Sequence, residues 1–268
     1  MLHMEKIGII GGSGFYSLLE NPELIDVNTE FGKPSDKIAI GTISNHEVVF
    51  LPRHNSKHNI PPQKVPYKAN IAALESLNVK RIIATNAVGS LRVDYAPGEF
   101  VLFDQFINMT NNRNDTFFDK HVVAHVSMAD PYCIELRELA QKTLEKLSIP
   151  YHKTASVVVI NGPRFSSKAE SRFFSKQGFD VINMTQYPEV ALAKEKGMCY
   201  LGIGIVTDYD AGLEGNPEIK PVRSDEMLSV FGKNIEKAKE AVKELISNIH
   251  NESNCNCKNS LDGAIITK

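Results

Sequence analysis

The sequence is poor in cysteine, and its cysteines are not grouped in the usual metal-ligand spacings. Four in 268 residues are too few for a disulfide scaffold. Cys-x-x-Cys and His-Glu-x-x-His are both missing, so no metal site is expected. Charge of one sign is missing as well. A formal net charge of -2 gives no general field for gathering nucleic acid or an anionic membrane, and neither is expected as a partner. No apolar run reaches membrane-spanning length and no signal peptide opens the chain, so the expected location is cytoplasmic. Internal repeats and linkers are absent too, which leaves one domain as the simplest organisation.

What is present is ordinary for a globular protein: 42% hydrophobic and 23% charged residues, ample for a sizeable core. Lys6 to Ile10 reads as a buried strand running into Gly11-Gly12-Ser13-Gly14. Glycines there let backbone amides and the Ser13 hydroxyl face an oxyanion, or they make a plain turn. The loop is neither a Walker A motif nor Gly-x-Gly-x-x-Gly, so a dinucleotide site has little support. Residues 38–43 and 47–51 suggest a hairpin around Ser44-Asn45, ending at Leu51-Pro52-Arg53-His54. Arg53 and His54 offer N–H donors to an anion, or belong to a solvated loop. The expectation is that they serve an anion rather than fold stability.

Helices are expected over 67–77, 131–147 and 224–248. The last has apolar residues every three or four positions and reads as a cover for the core. Further strands are expected at 81–90, 99–107, 154–160, 180–184 and 199–206. Their alternation with helices predicts an α/β single domain: a mixed, mostly parallel central sheet flanked by helices. Strand 199–206 leads into Thr207-Asp208-Tyr209-Asp210. In such folds ligands bind at the carboxyl ends of strands, so Asp208 and Asp210 either meet a ligand there or cap a turn.

Six segments, taken together, resemble one family. They are Ile7-Gly-Ile-Ile-Gly-Gly-Ser-Gly14, Leu51-Pro-Arg-His54, Ala84-Thr-Asn-Ala-Val-Gly-Ser90, Gly162-Pro-Arg-Phe-Ser-Ser167 with Glu170-Ser171, Val181-Ile-Asn-Met-Thr185 with Pro188-Glu189, and Thr207-Asp-Tyr-Asp210. Their order resembles the trimer-type purine nucleoside phosphorylases, most closely the 5'-methylthioadenosine phosphorylase branch. The resemblance implies a phosphorylase domain over 1–250 and a polar tail over 251–268. It implies phosphorolysis of 5'-methylthioadenosine to adenine and 5-methylthioribose 1-phosphate, in purine and methionine salvage. Alternatives are a phosphorylase of 6-oxopurine nucleosides or of methylthioinosine, and, more remotely, a non-catalytic nucleotide-binding protein.

The same resemblance implies roles. Ser13, Arg53, His54, Asn86, Ala87 and Thr185 match phosphate ligands, although many relatives carry threonine where Asn86 stands. Phe165 and Ser166 match the base pocket, and Met184 the ribose contact. Asp208 and Asp210 match the catalytic and purine-binding acids. His125 matches a residue supplied near the 5' substituent by a neighbouring subunit. No cofactor is implied, inorganic phosphate being a co-substrate, and the implied assembly is a homotrimer or a dimer of trimers. Some thermophilic members carry a C-terminal Cys-x-Cys with stabilising bridges. By that resemblance Cys133 is expected to pair with Cys199, and Cys255 and Cys257 to be oxidised.

Overall fold

The structure is a computed structural model, described for residues 5–266 except Ser13, 214–215, 217–218, 221 and 251–252. The chain opens with β1 (Lys6–Gly11), β2 (Glu23–Ile25), β3 (Ile38–Ile43) and β4 (His46–Pro52). Next come α1 (Tyr67–Ser76), β5 (Val79–Ser90), β6 (Phe100–Leu102), β7 (Gln105–Met109) and α2 (Ile134–Lys146). Then follow β8 (Tyr151–His152), β9 (Ser156–Ile160), α3 (Lys168–Lys176), β10 (Val181–Asn183), α4 (Gln186–Glu195), β11 (Cys199–Asp208) and α5 (Ser224–Ser247). All the strands join one sheet. β1 pairs in parallel with β4 and β5, β5 with β11, β9 with β7 and β10, and β6 with β8. The remaining pairings, β2–β3, β3–β4, β5–β10 and β6–β11, are antiparallel, so the sheet is mixed and mostly parallel as expected.

The hairpin forms where Ser44 and Asn45 both adopt positive φ, at 47° and 67°, the twist that a two-residue turn requires. Alternating side chains divide the core into two layers. Ile7 and Ile9 of β1 pack with the α2 and α5 residues Leu136, Leu144, Val242 and Leu245. Ile10 packs on the opposite side with Ile71 and Leu74 of α1 and Val190 and Leu192 of α4. The strand expected over 99–107 is two strands with different neighbours. β6 pairs with β11 and β7 with β9, and the break falls where Phe103 N–H reaches Gly202 O and the Asp104 carboxylate takes the Ala155 N–H. Gly202 and Gly204 in β11 make room for this join. A Cβ at Gly202 would stand 2.4 Å from the Phe103 ring, and one at Gly204 2.6 Å from Val101. Among the described residues no helix is long and apolar enough to cross a membrane.

Over its described part, the end of the chain packs back onto the domain. Cys257 and Ala264 are buried. Glu135 on the first turn of α2 accepts the Asn254 and Cys255 N–H groups and the Ser253 hydroxyl. Further on, Ile265 bridges Ala124, and His125 N–H reaches Ala264 O. The expected disulfides are not formed. Cys133, Cys199, Cys255 and Cys257 are free thiols. The returning tail brings all four sulfurs within 4.8 Å of one another instead of pairing them two by two.

Candidate active site

The sheet forks along β5. On one side β11 follows it from Arg81 to Gly89. On the other, β1 leaves after Ala84 and β10 joins only at Gly89. The stretch between, Thr85 to Val88, opens into a cavity of about 320 Å³. Of the residues expected at the site, Arg53, His54, Asn86, Ala87, Phe165, Met184, Thr185, Asp208 and Asp210 all line it. Ser166 sits beside Asp210. Ser13 lies outside the described residues, but its neighbour Gly12 lines the cavity.

Arg53 departs from expectation. It is 2% exposed, and its guanidinium grips the fully buried Glu189 with Nε and Nη2, each bond 2.8 Å, while Nη1 donates to Thr85 O at 3.0 Å. Tyr200 donates its hydroxyl to the same carboxylate at 2.6 Å. Burial opposes the charge, yet the Glu189 carboxylate outweighs it and holds the guanidinium above its ordinary pKa. Three of its five N–H donors are thereby used and two are left for an anion. A side chain expected to serve the anion alone therefore also neutralises a core carboxylate.

His54 is neutral at ordinary pH. Burial first, then the Arg53 charge, lowers its pKa to about 4. Its Nδ1 lies 2.8 Å from Ile60 O, which can only accept, so Nδ1 carries the proton and Nε2 is an acceptor. Such an acceptor suits the hydroxyl of monohydrogen phosphate, rather than the donor role expected. Thr185 donates to Asn86 Oδ1 at 3.0 Å, and the Asn86 amide donates one N–H to Ala84 O at 3.4 Å, which leaves its second N–H as a donor. Thr85 Oγ1 and Asn183 Nδ2 are buried, line the cavity and have no partner among the described residues. Both were overlooked in the sequence, although each lies within a motif segment. A polar residue in a buried apolar strand was the available signal.

Asp208 closes the opposite wall at the end of β11. Thr207 donates to its Oδ2 and the Asp210 N–H to its Oδ1, both at 2.7 Å. Burial nonetheless raises its pKa to about 6, so an acid proton is available near neutrality. Asp210, 3% exposed and at φ 50°, is also raised by burial, and its Oδ2 has no partner among the described residues. Gly89 gives Asp208 its place: a Cβ there would stand 2.9 Å from Asp208 Oδ1. Gly89→Ala should displace the carboxyl and lower kcat/KM by roughly 10–100-fold with little change in Tm. Wild-type kinetics in that variant would show that the close approach is idle.

Arg113, unassigned in the sequence, ties the walls together. It donates to the carbonyls of Asn161, Met184 and Tyr187 and so joins the β9, β10 and α4 loops. The helix expected only to cover the core also lines the cavity, through Ser224, Met227, Leu228 and Phe231 of α5. His125 does not reach the cavity of its own chain. It is exposed, beside Val122 and Val123, which are 40% and 45% exposed.

Residues 6–247 match the phosphorylase superfamily. An S-methyl-5'-thioadenosine phosphorylase of Thermofilum pendens is 51% identical over 97% of this chain and 98% of its own length. One of Pyrococcus horikoshii is 50% identical over 96% and 98%. Among solved structures, a methylthioadenosine phosphorylase from an antarctic soil metagenomic library superposes with a TM-score of 0.91 at 37% identity, covering 99% of this chain and 93% of that one. Methylthioadenosine phosphorylase of Schistosoma mansoni in complex with adenine gives 0.88 at 38%, covering 93% of each chain. Since the family model spans residues 6–247 and the fold and nearly the whole length agree with these relatives, the chain belongs to the phosphorylase superfamily.

Proposed function

We propose that the chain is a pentosyltransferase that cleaves 5'-methylthioadenosine with inorganic phosphate, giving adenine and 5-methylthioribose 1-phosphate. One observation carries the reading. A single cavity has anion donors on the β4–β5 side and a buried acid, Asp208, on the β11 side. The C1'–N9 bond breaks with its electron pair going to the purine, and a phosphate oxygen forms the new bond to C1'. Asp208 gives its proton to N7, and the phosphate proton replaces it through solvent. Arg53, His54, Asn86, Ala87 and Thr185 hold the phosphate. Met184 lies along the ribose and Phe165 against the purine, with Ser166 and Asp210 beside the base. Each group is aimed at charge that grows in the transition state. The reading calls for no cofactor.

The test is base release from methylthioadenosine, adenosine, inosine and guanosine, each with and without phosphate. Phosphate-dependent release of adenine, fastest from methylthioadenosine, is expected. Release without phosphate, or none at all, would overturn the reading.

The two shifted groups set the pH dependence. Asp208 must be protonated, so kcat/KM for methylthioadenosine should fall as pH rises through about 6. His54 must be neutral, so an acid limb should appear near pH 4. With phosphate saturating at each pH, a flat profile from 4 to 8 would contradict both roles.

A homotrimer agrees with the position of His125, exposed and flanked by Val122, Val123, Ile265 and Ile266, which are 40–58% exposed. In that assembly a neighbouring copy supplies His125 to the cavity. Sedimentation of an active monomer would exclude it.

A further inference from the structure

The four cysteines come from three separate parts of the chain. Cys133 is the residue that caps the start of α2, and Cys199 is the first residue of β11. Cys255 and Cys257 lie in the tail, the latter opening a short 3-10 turn over Cys257–Asn259. All four sulfurs lie within 4.8 Å of one another, and Cys199 Sγ is 3.3 Å from Cys255 Sγ. Two disulfides would need only two close pairs. Here each sulfur is near the other three, which is the arrangement that a single central atom requires. Four thiolates around zinc, at about 2.3 Å each, stand about 3.8 Å apart.

We propose that Cys133, Cys199, Cys255 and Cys257 form a closed tetrathiolate site for one zinc ion. Three are buried and Cys255 is partly exposed, so the site offers four protein ligands and one route of entry. Four protein sulfurs without a place for substrate make a structural centre, not a catalytic one. On binding, four S–H bonds give way to four Zn–S bonds and the thiol protons pass to solvent. The Cys-x-Cys backbone is pre-set by Glu135, which accepts the Cys255 N–H at 3.1 Å and the Asn254 N–H at 3.0 Å. Ser253 Oγ lies 3.1 Å from Cys255 Sγ, an outer contact of the kind that orients metal ligands. A sequence without Cys-x-x-Cys gave no local sign of this, because the set is completed only when the tail folds back.

The centre would fasten the tail to α2 and β11. Beyond it, Ser260 donates to Lys194 O at 2.6 Å, and the Ala264–Ile266 stretch pairs with Val123 to His125. The metal thus holds the exposed loop that carries His125.

The full chain, purified in a phosphine reductant without chelator, should contain about one zinc per chain by elemental analysis. The Cys255→Ser/Cys257→Ser variant should retain less than about a tenth of that. Cobalt(II) added to the reduced, metal-free protein should give the visible bands of tetrahedral thiolate coordination, saturating at one equivalent and bleached by zinc. Removing zinc should increase amide exchange in 253–266 and 122–125. If the variant fails to fold, the cobalt titration of the unaltered chain stands alone. Reduced protein that holds no zinc and shows no cobalt spectrum overturns the proposal. So does protein isolated with two disulfides that takes up no metal after reduction.

Discussion

Arg53→Ala should lose about 3–5 kcal/mol of stability and lower Tm by roughly 10 °C, besides weakening phosphate use. Both effects come from one geometry. Glu189 is fully buried, and Arg53 neutralises it through two 2.8 Å hydrogen bonds. Alanine leaves that carboxylate with the Tyr200 hydroxyl alone, a poor substitute for a charge in a dry core. The two donors that Arg53 still offers the cavity disappear at the same time. A second variant separates the roles. Arg53→Met/Glu189→Met removes both charges and keeps the volume, so it should recover much of the lost stability, because buried ion pairs are often replaceable by apolar side chains. Its KM for phosphate should stay raised. Thermal melts and phosphate titrations of both variants check this. An Arg53→Ala protein that melts with the wild type would show that the pair contributes little.

This pair also marks what could be read in the sequence and what could not. Most of the strands were legible because apolar runs ended in glycine or polar residues; β2 and β8, only three and two residues long, carry too short a pattern to read, and β6 and β7 read as one strand. The hairpin was legible from Ser44-Asn45. Arg53 and Glu189 were each seen separately, one as an anion ligand and one as part of a motif segment. Nothing local says that residues 136 positions apart share a core ion pair. The same limit hid Arg113, whose role is to hold together carbonyls of three distant loops, and the four-cysteine cluster. It also hid the cavity-facing start of α5, since Met227, Leu228 and Phe231 fit a core stripe equally well. The protonation of His54 was out of reach for another reason. It depends on Ile60 O and on the charge of Arg53, which only the folded loop brings together. Tertiary partners decide each of these cases, while periodicity reports only which face of an element is covered.

Asp208→Asn should abolish most activity on methylthioadenosine and leave Tm nearly unchanged. The fold is expected to accept the amide because both hydrogen bonds of Asp208 survive in altered form. The Asp210 N–H, now 2.7 Å from Oδ1, fixes the amide oxygen on that side. The Asn Nδ2 then faces Thr207 Oγ1. That hydroxyl can turn its proton to Val88 O, which already lies at 3.2 Å, and accept from the amide. Chemistry fares differently. The acid proton available near neutrality is gone, and losing a general acid costs about 10²–10⁴ in rate. The 6-amino group of adenine, a donor, also loses a carboxylate acceptor and meets an amide donor. A mismatch of that kind costs about 1–3 kcal/mol and falls on 6-aminopurines only. A 6-oxopurine presents an acceptor at the same place, so the ratio of inosine to methylthioadenosine turnover should rise by an order of magnitude or more, even as absolute rates fall. The alkaline fall in kcat/KM near pH 6 should vanish with the carboxyl group. A variant that kept both the adenine preference and the pH 6 limb would reduce Asp208 to a turn residue. Asp210, buried beside it with an oxygen unpartnered among the described residues, would then take the role of acid.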